Sequence, residues 1–195
     1  YVLTSDGTDI AWEAASSFDA DAAQVFNESG AAVDFRIESD DNANMFFIDG
    51  SEDKIGIGTA SPRAKLDVDG AIKIKTSSEN VHALSISAGN CDVDLSKGQS
   101  FTLTVDSAVT QFTIINPPGD GSGYALKDAA TFTIKILQNA TGYSVDIDDF
   151  RNAAGNAIDV YWPGGGVIPV VTSDANKTDI YSFKTFDSCA SLYGI

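Results

Sequence analysis

The chain contains one histidine, one methionine and two cysteines in 195 residues, and only 12 Lys and Arg against 28 Asp and Glu. Each scarcity excludes something. With His82 as the sole histidine, Ser-His-Asp or Cys-His catalysis would have to run through it, yet it sits in an alternating stretch between Val81 and Leu84 with neither cysteine beside it. One histidine and two distant cysteines do not make a spaced zinc cluster. The net charge of −16, with no cluster of basic residues anywhere, argues against nucleic-acid binding, which needs Lys and Arg to displace phosphate counterions. No apolar run approaches the roughly 20 residues of a membrane-spanning helix, so no membrane insertion is expected. Cys91 and Cys189 are too sparse for a disulfide scaffold and read as partly buried free thiols ahead of a disulfide. The opening YVLTSDGTDIAW carries no initiator methionine and no signal peptide, which suggests a piece of something longer.

What the chain does have is alternation. In residues 33–75 apolar side chains recur at every second position in runs of about five residues, the period of half-buried strands. Val33, Phe35 and Ile37 share one face, and Asp34, Arg36 and Glu38 the other. Ile55 and Ile57, Leu66 and Val68, and Ile72 and Ile74 repeat the pattern, with Asp, Asn, Gly, Ser and Pro between the runs. Phe46, Phe47 and Ile48 are consecutive, so that strand needs cover on both sides.

Before this stretch, Asp6-Gly7 between apolar flanks signals a hairpin, and residues 14–23 read as a linker or a turn or two of helix. A strand is expected from Val25-Phe26, followed by a turn at Asn27 to Gly30.

Large apolar residues number 21 in the first 80 positions and 37 in the remaining 115, and the leaner part carries a net charge of −10. Such a segment has too little to bury alone, which points to a core borrowed from copies of itself. The Ile55-Gly56-Ile57-Gly58 step supports that reading, because glycine weakens a strand unless another backbone comes close; a pair of bulges explains it equally well.

A polar break at residues 76–80 separates this part from regularly spaced strand candidates: 81–87, 91–95, 100–105, 111–115, 131–137, 143–147, 158–162, 167–172 and 179–185. Turns at Pro117-Pro118-Gly119, Asn139 to Gly142 and Pro163 to Gly166 divide them, and the spacing suggests an antiparallel β-sandwich. No helix follows Gly164-Gly165-Gly166, so it is a turn and not a nucleotide site, and no cofactor is expected.

Residues 22–70 resemble the shaft segments of tailed-bacteriophage fibre proteins. The resemblance rests on Val25 to Gly30, Val33 to Ser39, Ile55-Gly56-Ile57-Gly58-Thr59-Ala60-Ser61-Pro62 and Lys65 to Gly70. Residues 81–195 are similar to the terminal β-domain that often follows such shafts. There the matching features are Asn116 to Gly119, Trp162 to Gly166, Asp179 to Phe183 and the closing Leu192-Tyr193-Gly194-Ile195. The segment 186–193 departs from the Gly-rich turn and Trp common in relatives.

The resemblance implies an all-β chain: a connector (1–21), an intertwined trimeric β shaft (22–75) and a jelly-roll-like sandwich head (81–195). It also implies a homotrimeric virion appendage, outside the cell, bound to other virion proteins on its N-terminal side and to a bacterial surface glycan or protein at its tip. Phe35, Ile37, Phe46, Ile48, Ile55, Gly56, Ile57 and Gly58 would form the shared core. Tyr161, Trp162, Tyr143 and Tyr124 are the candidates for stacking on a sugar, although aromatics in a sandwich are more often core.

The chain reads as a binding protein without enzymatic activity, and as an alternative a capsid decoration fibre or a glycan-degrading tailspike fragment. The last would need two carboxylates about 5–10 Å apart, for which Asp92 with Asp94, or Asp146 with Asp148 and Asp149, have suitable spacing. Solvated charge on an outer strand face explains them more simply. The oxygen-rich loops 40–44 and 51–53 lack calcium-loop spacing and read as Asx turns, so no metal is expected.

Overall fold

The computed structural model describes residues 29–119 and 128–195, and the backbone of 2–5 and 10–13. The expected strand start at Val25-Phe26, the segment 14–23 and Tyr124 lie outside the described residues. Within them the chain is all-β and divides into two compact units, Tyr1–Ala71 and Ile72–Ile195.

In the first unit β1 (Val2–Ser5) and β2 (Ile10–Glu13) pair antiparallel, as the Asp6-Gly7 signal predicts. A separate four-stranded sheet runs in sequence order through β3 (Phe35–Ile37), β4 (Phe46–Asp49), β5 (Lys54–Ile57) and β6 (Leu66–Val68). Its register sets Phe35 opposite Ile48, Ile48 opposite Ile55 and Ile55 opposite Leu66, with Ile37 opposite Phe46 and Ile57 opposite Val68. Because alternate side chains share a face, eight apolar residues from four strands form one continuous surface. The other face holds Arg36, Phe47, Gly56 and Asp67 in a row.

Local hydrogen bonds fix the turns of this sheet. Asp49 Oδ1 accepts from the Ser51 N–H and hydroxyl and from the Glu52 N–H, which closes the β4–β5 turn. Asn42 Oδ1 accepts from the Asn44 N–H. Both oxygen-rich loops are Asx-type turns. Ile72 and Ile74, expected to alternate in a strand, lie outside any strand and are exposed. The backbone bond from Asp69 N–H to the Ile57 carbonyl ends the ladder, so the pattern beyond it has no neighbour to pair with.

The second unit is one mixed ten-stranded sheet that nearly closes on itself. Its strands are β7 (Val81–Leu84), β8 (Ile86–Ser87), β9 (Asn90–Asp94), β10 (Ser100–Val105), β11 (Gln111–Ile115), β12 (Ala130–Gln138), β13 (Phe150–Asn152), β14 (Ala157–Tyr161), β15 (Thr178–Thr185) and β16 (Ser191–Gly194). They lie in the order 7-10-12-15-16-14-13-11-9-8. β7 and β8 are the two edges, yet only Ser85 separates them in sequence. One bent strand therefore pairs with β10 through its first half and with β9 through its second.

The expected antiparallel arrangement is corrected. β7–β10, β10–β12, β9–β11, β11–β13 and β14–β16 are parallel pairs, and only β8–β9, β12–β15, β13–β14 and β15–β16 are antiparallel. The connections 95–99 and 106–110 carry the chain to a different part of the sheet instead of turning it back, so β9 lands beside β11 and β10 beside β12.

Inward positions on every second residue supply the core. Phe101, Leu103, Val105, Phe112, Ile114, Phe132, Ile134, Ile136, Phe150, Phe183 and Leu192 are buried. The Phe150 ring meets Phe183 edge-on at 4.8 Å and stacks on Phe112 at 5.2 Å. Gln138 is buried among them and fully bonded: its amide N–H groups reach the Tyr143 and Thr172 carbonyls, and its carbonyl accepts from the Tyr143 N–H. That single side chain satisfies backbone that strands would otherwise pair. The expected strands 143–147 and 167–172 are accordingly replaced by loops, with one isolated bridge from Val145 to Val109.

Candidate functional site

The segment from Asp146 to Ile168 builds an open cleft of about 700 Å³, lined by Asp146, Asp149, Arg151, Asp159, Tyr161 and Ile168 among others. Arg151 on β13 grips Asp149 with two bonds, Nε to Oδ1 at 3.0 Å and Nη2 to Oδ2 at 3.1 Å. These bonds hold the Arg151 pKa above its ordinary value. The β13–β14 hairpin is closed by Asn152, whose Oδ1 accepts from the N–H groups of Ala154 and Asn156. Asp146 Oδ1 accepts from the Asp148 N–H, and Asp148 Oδ1 accepts from the Trp162 indole at 2.6 Å. Asp159, on the outer face of β14, forms no hydrogen bond or ion pair with another described side chain.

Of the four aromatic ligand candidates, the three among the described residues have different fates. Tyr161 is 51% exposed and borders the cleft. Trp162, next in the chain, points inward and is only 9% exposed, packed edge-on against Phe183 and Tyr181. Tyr143 is half-buried against the core with its backbone held by Gln138. The alternation of a strand makes Tyr161 and Trp162 opposites, and only Tyr161 presents its ring to solvent.

Sequence reading missed the partners of Tyr161. β14 and β16 are parallel neighbours that put Tyr161 opposite Tyr193, and their rings stack at 5.3 Å and 24°. Tyr193 in turn meets the edge of Phe186 at 5.6 Å, and Lys184 Nζ lies 4.8 Å from the Phe186 ring centre. The alternation of Ser191-Leu192-Tyr193-Gly194 is the signal that could have placed Tyr193 outward, opposite buried Leu192. No sequence rule gives its cross-strand partner.

The proposed core residues of the first unit divide by face. Phe35, Ile37, Phe46, Ile48, Ile55 and Ile57 lie together on the apolar face, where Ile37 is 54% exposed and Leu66 57%. Gly56 lies on the other face, opposite buried Phe47. A β-carbon built there would overlap the Thr59 carbonyl, so the chain's own loop occupies that space. Gly58 is left-handed (φ 78°) and begins that loop, its N–H donating to the Asn44 carbonyl.

The histidine and the two cysteines stand apart from the cleft among the described residues. His82 is exposed, its ring edge-on to Phe101. Cys91 and Cys189 are free, buried thiols, and burial pushes each pKa up to about 12. Among the described residues no three His, Cys, Asp or Glu side chains converge as metal ligands do. Asp94 accepts from Ser96 and Asn116, which holds its carboxyl below the ordinary value while closing a turn.

Compared with known proteins, the chain matches no family model, no curated protein and no solved structure.

Proposed function

We propose that this chain is the distal, host-attachment part of a homotrimeric bacteriophage tail fibre, a virion component without enzymatic activity. The observation that carries the reading is the apolar face of the β3–β6 sheet. Phe35, Ile37, Phe46, Ile48, Ile55, Ile57, Leu66 and Val68 share it. A soluble monomer rarely leaves such a contiguous surface open. Three copies that turn these faces inward bury them together and give a narrow column whose outer face is the Arg36, Asp67 side.

The second unit is read as the head of such a fibre, its mixed sheet rolled over a core in which the Phe150 ring meets Phe132 and Phe183. Other virion proteins hold the column on its N-terminal side. Three copies of a weak surface then bind bacterial glycan or protein by avidity.

The test is competition. Purified chain added to host cells before the virions that carry it should block adsorption in a concentration-dependent manner, and antibody against the chain should label the tail. Undiminished adsorption together with label confined to the capsid would overturn the assignment.

A further inference from the structure

The open cleft beside Tyr161 brings together an exposed aromatic ring and several polar side chains. Sugar rings present an apolar C–H face and a rim of hydroxyls, so a pyranose needs one flat aromatic face and hydrogen-bonding groups at right angles to it. Tyr161 supplies the face. Its ring borders the cleft and is stacked by Tyr193, which does not itself line the cleft. Tyr193 is itself braced by Phe186, over whose ring Lys184 Nζ lies. A ring held this way needs little ordering on binding.

The rim is also present. Asp159 and the second oxygen of Asp146 are open acceptors on the cleft wall, and Arg151, locked onto Asp149, adds a fixed donor. Four carboxylates against one guanidinium leave the cleft negative. That charge repels uronates and sialylated chains and admits sugars with no acid group. A volume of about 700 Å³ suits one or two sugar rings.

We propose that the cleft formed by Tyr161, Asp146, Asp159 and the Asp149–Arg151 pair binds an uncharged hexopyranose unit of a polysaccharide, with Tyr161 as the stacking surface and Tyr193 as its positioning residue. This rests on the attachment reading above and names its ligand class.

The test is retardation of the full chain in gels containing a neutral glucan, mannan or galactan, with a polyuronate as the charged comparison. At least one neutral polymer should retard the wild type and the polyuronate should not. Tyr161→Ala should weaken that retardation about tenfold, Tyr193→Ala by less, and Tyr161→Phe should retain it. Circular dichroism of each variant checks the fold; Tyr161 is exposed, so an unchanged spectrum is expected. No retardation by any neutral polymer, or retardation indifferent to Tyr161→Ala, overturns the subsite. If soluble chain still blocks virion adsorption in that event, the subsite fails and attachment stands. If Tyr161-dependent retardation appears without such competition, the attachment reading fails and the subsite stands.

Discussion

The indole of Trp162 lies against the α-carbon of Gly194, in the space a side chain would fill. The contact joins the end of β14 to the end of β16, and the hydrogen bond from Trp162 Nε1 to Asp148 fixes the ring's other edge. Gly194→Ala forces the ring or the strand to move, and overpacking of this kind costs about 1–3 kcal/mol. Trp162→Phe relieves the crowding at Gly194 and loses the charge-assisted bond instead. The double variant should therefore be more stable than the sum of the two single effects, as read from urea unfolding midpoints.

Gln138 gives a second prediction. Replacing it with Ala strands the Tyr143 N–H and the Tyr143 and Thr172 carbonyls in a buried place, where each unmatched group costs about 1–3 kcal/mol. Unfolding should show a loss of at least about 2 kcal/mol. Gln138→Glu should be destabilising too, because a carboxylate cannot donate to the two carbonyls.

The buried thiols set an alkaline limit. Each folded pKa, about 12, lies above the ordinary 9.0, so the unfolded chain loses these protons first as pH rises. Their contribution is fully present below pH 9 and is lost between pH 9 and 12. Stability measured across that window should fall less steeply for Cys91→Ala, Cys189→Ala than for the wild type. Iodoacetamide should modify the native thiols far more slowly than the urea-unfolded ones.

Gly56 separates two explanations of one feature. Since the Thr59 carbonyl fills the space beside it, Gly56→Ala should destabilise the first unit by about 1–3 kcal/mol at every protein concentration. Destabilisation that changes on dilution would mean that a neighbouring chain occupies that space.

The strands that were legible in advance are the ones whose alternation is unbroken. Residues 100–105 and 111–115 form β10 and β11 with the expected ends. Alternation tells which face a residue takes but not which strand lies beside it, and so the parallel pairs of the second unit were invisible. β13, with three residues, is too short for the pattern to register. The segment 167–172 looked like a strand because Val167, Ile168, Val170 and Val171 are apolar, but Pro169 cannot donate and Asp179 and Gln138 bond Thr172 instead. At the candidate site Tyr161 was legible from its place beside a turn. Tyr193 and Phe186 were not, because their link to it is cross-strand geometry.

The central claim is that the β3–β6 face joins three chains, and mass in solution tests it most directly. Light scattering should return three times the 20.5 kDa of one chain. Ile37→Asp with Leu66→Asp should reduce the mass to one chain without unfolding it, because both side chains are already exposed in the single chain. A wild-type mass equal to one chain, or a trimer indifferent to both substitutions, would contradict the account.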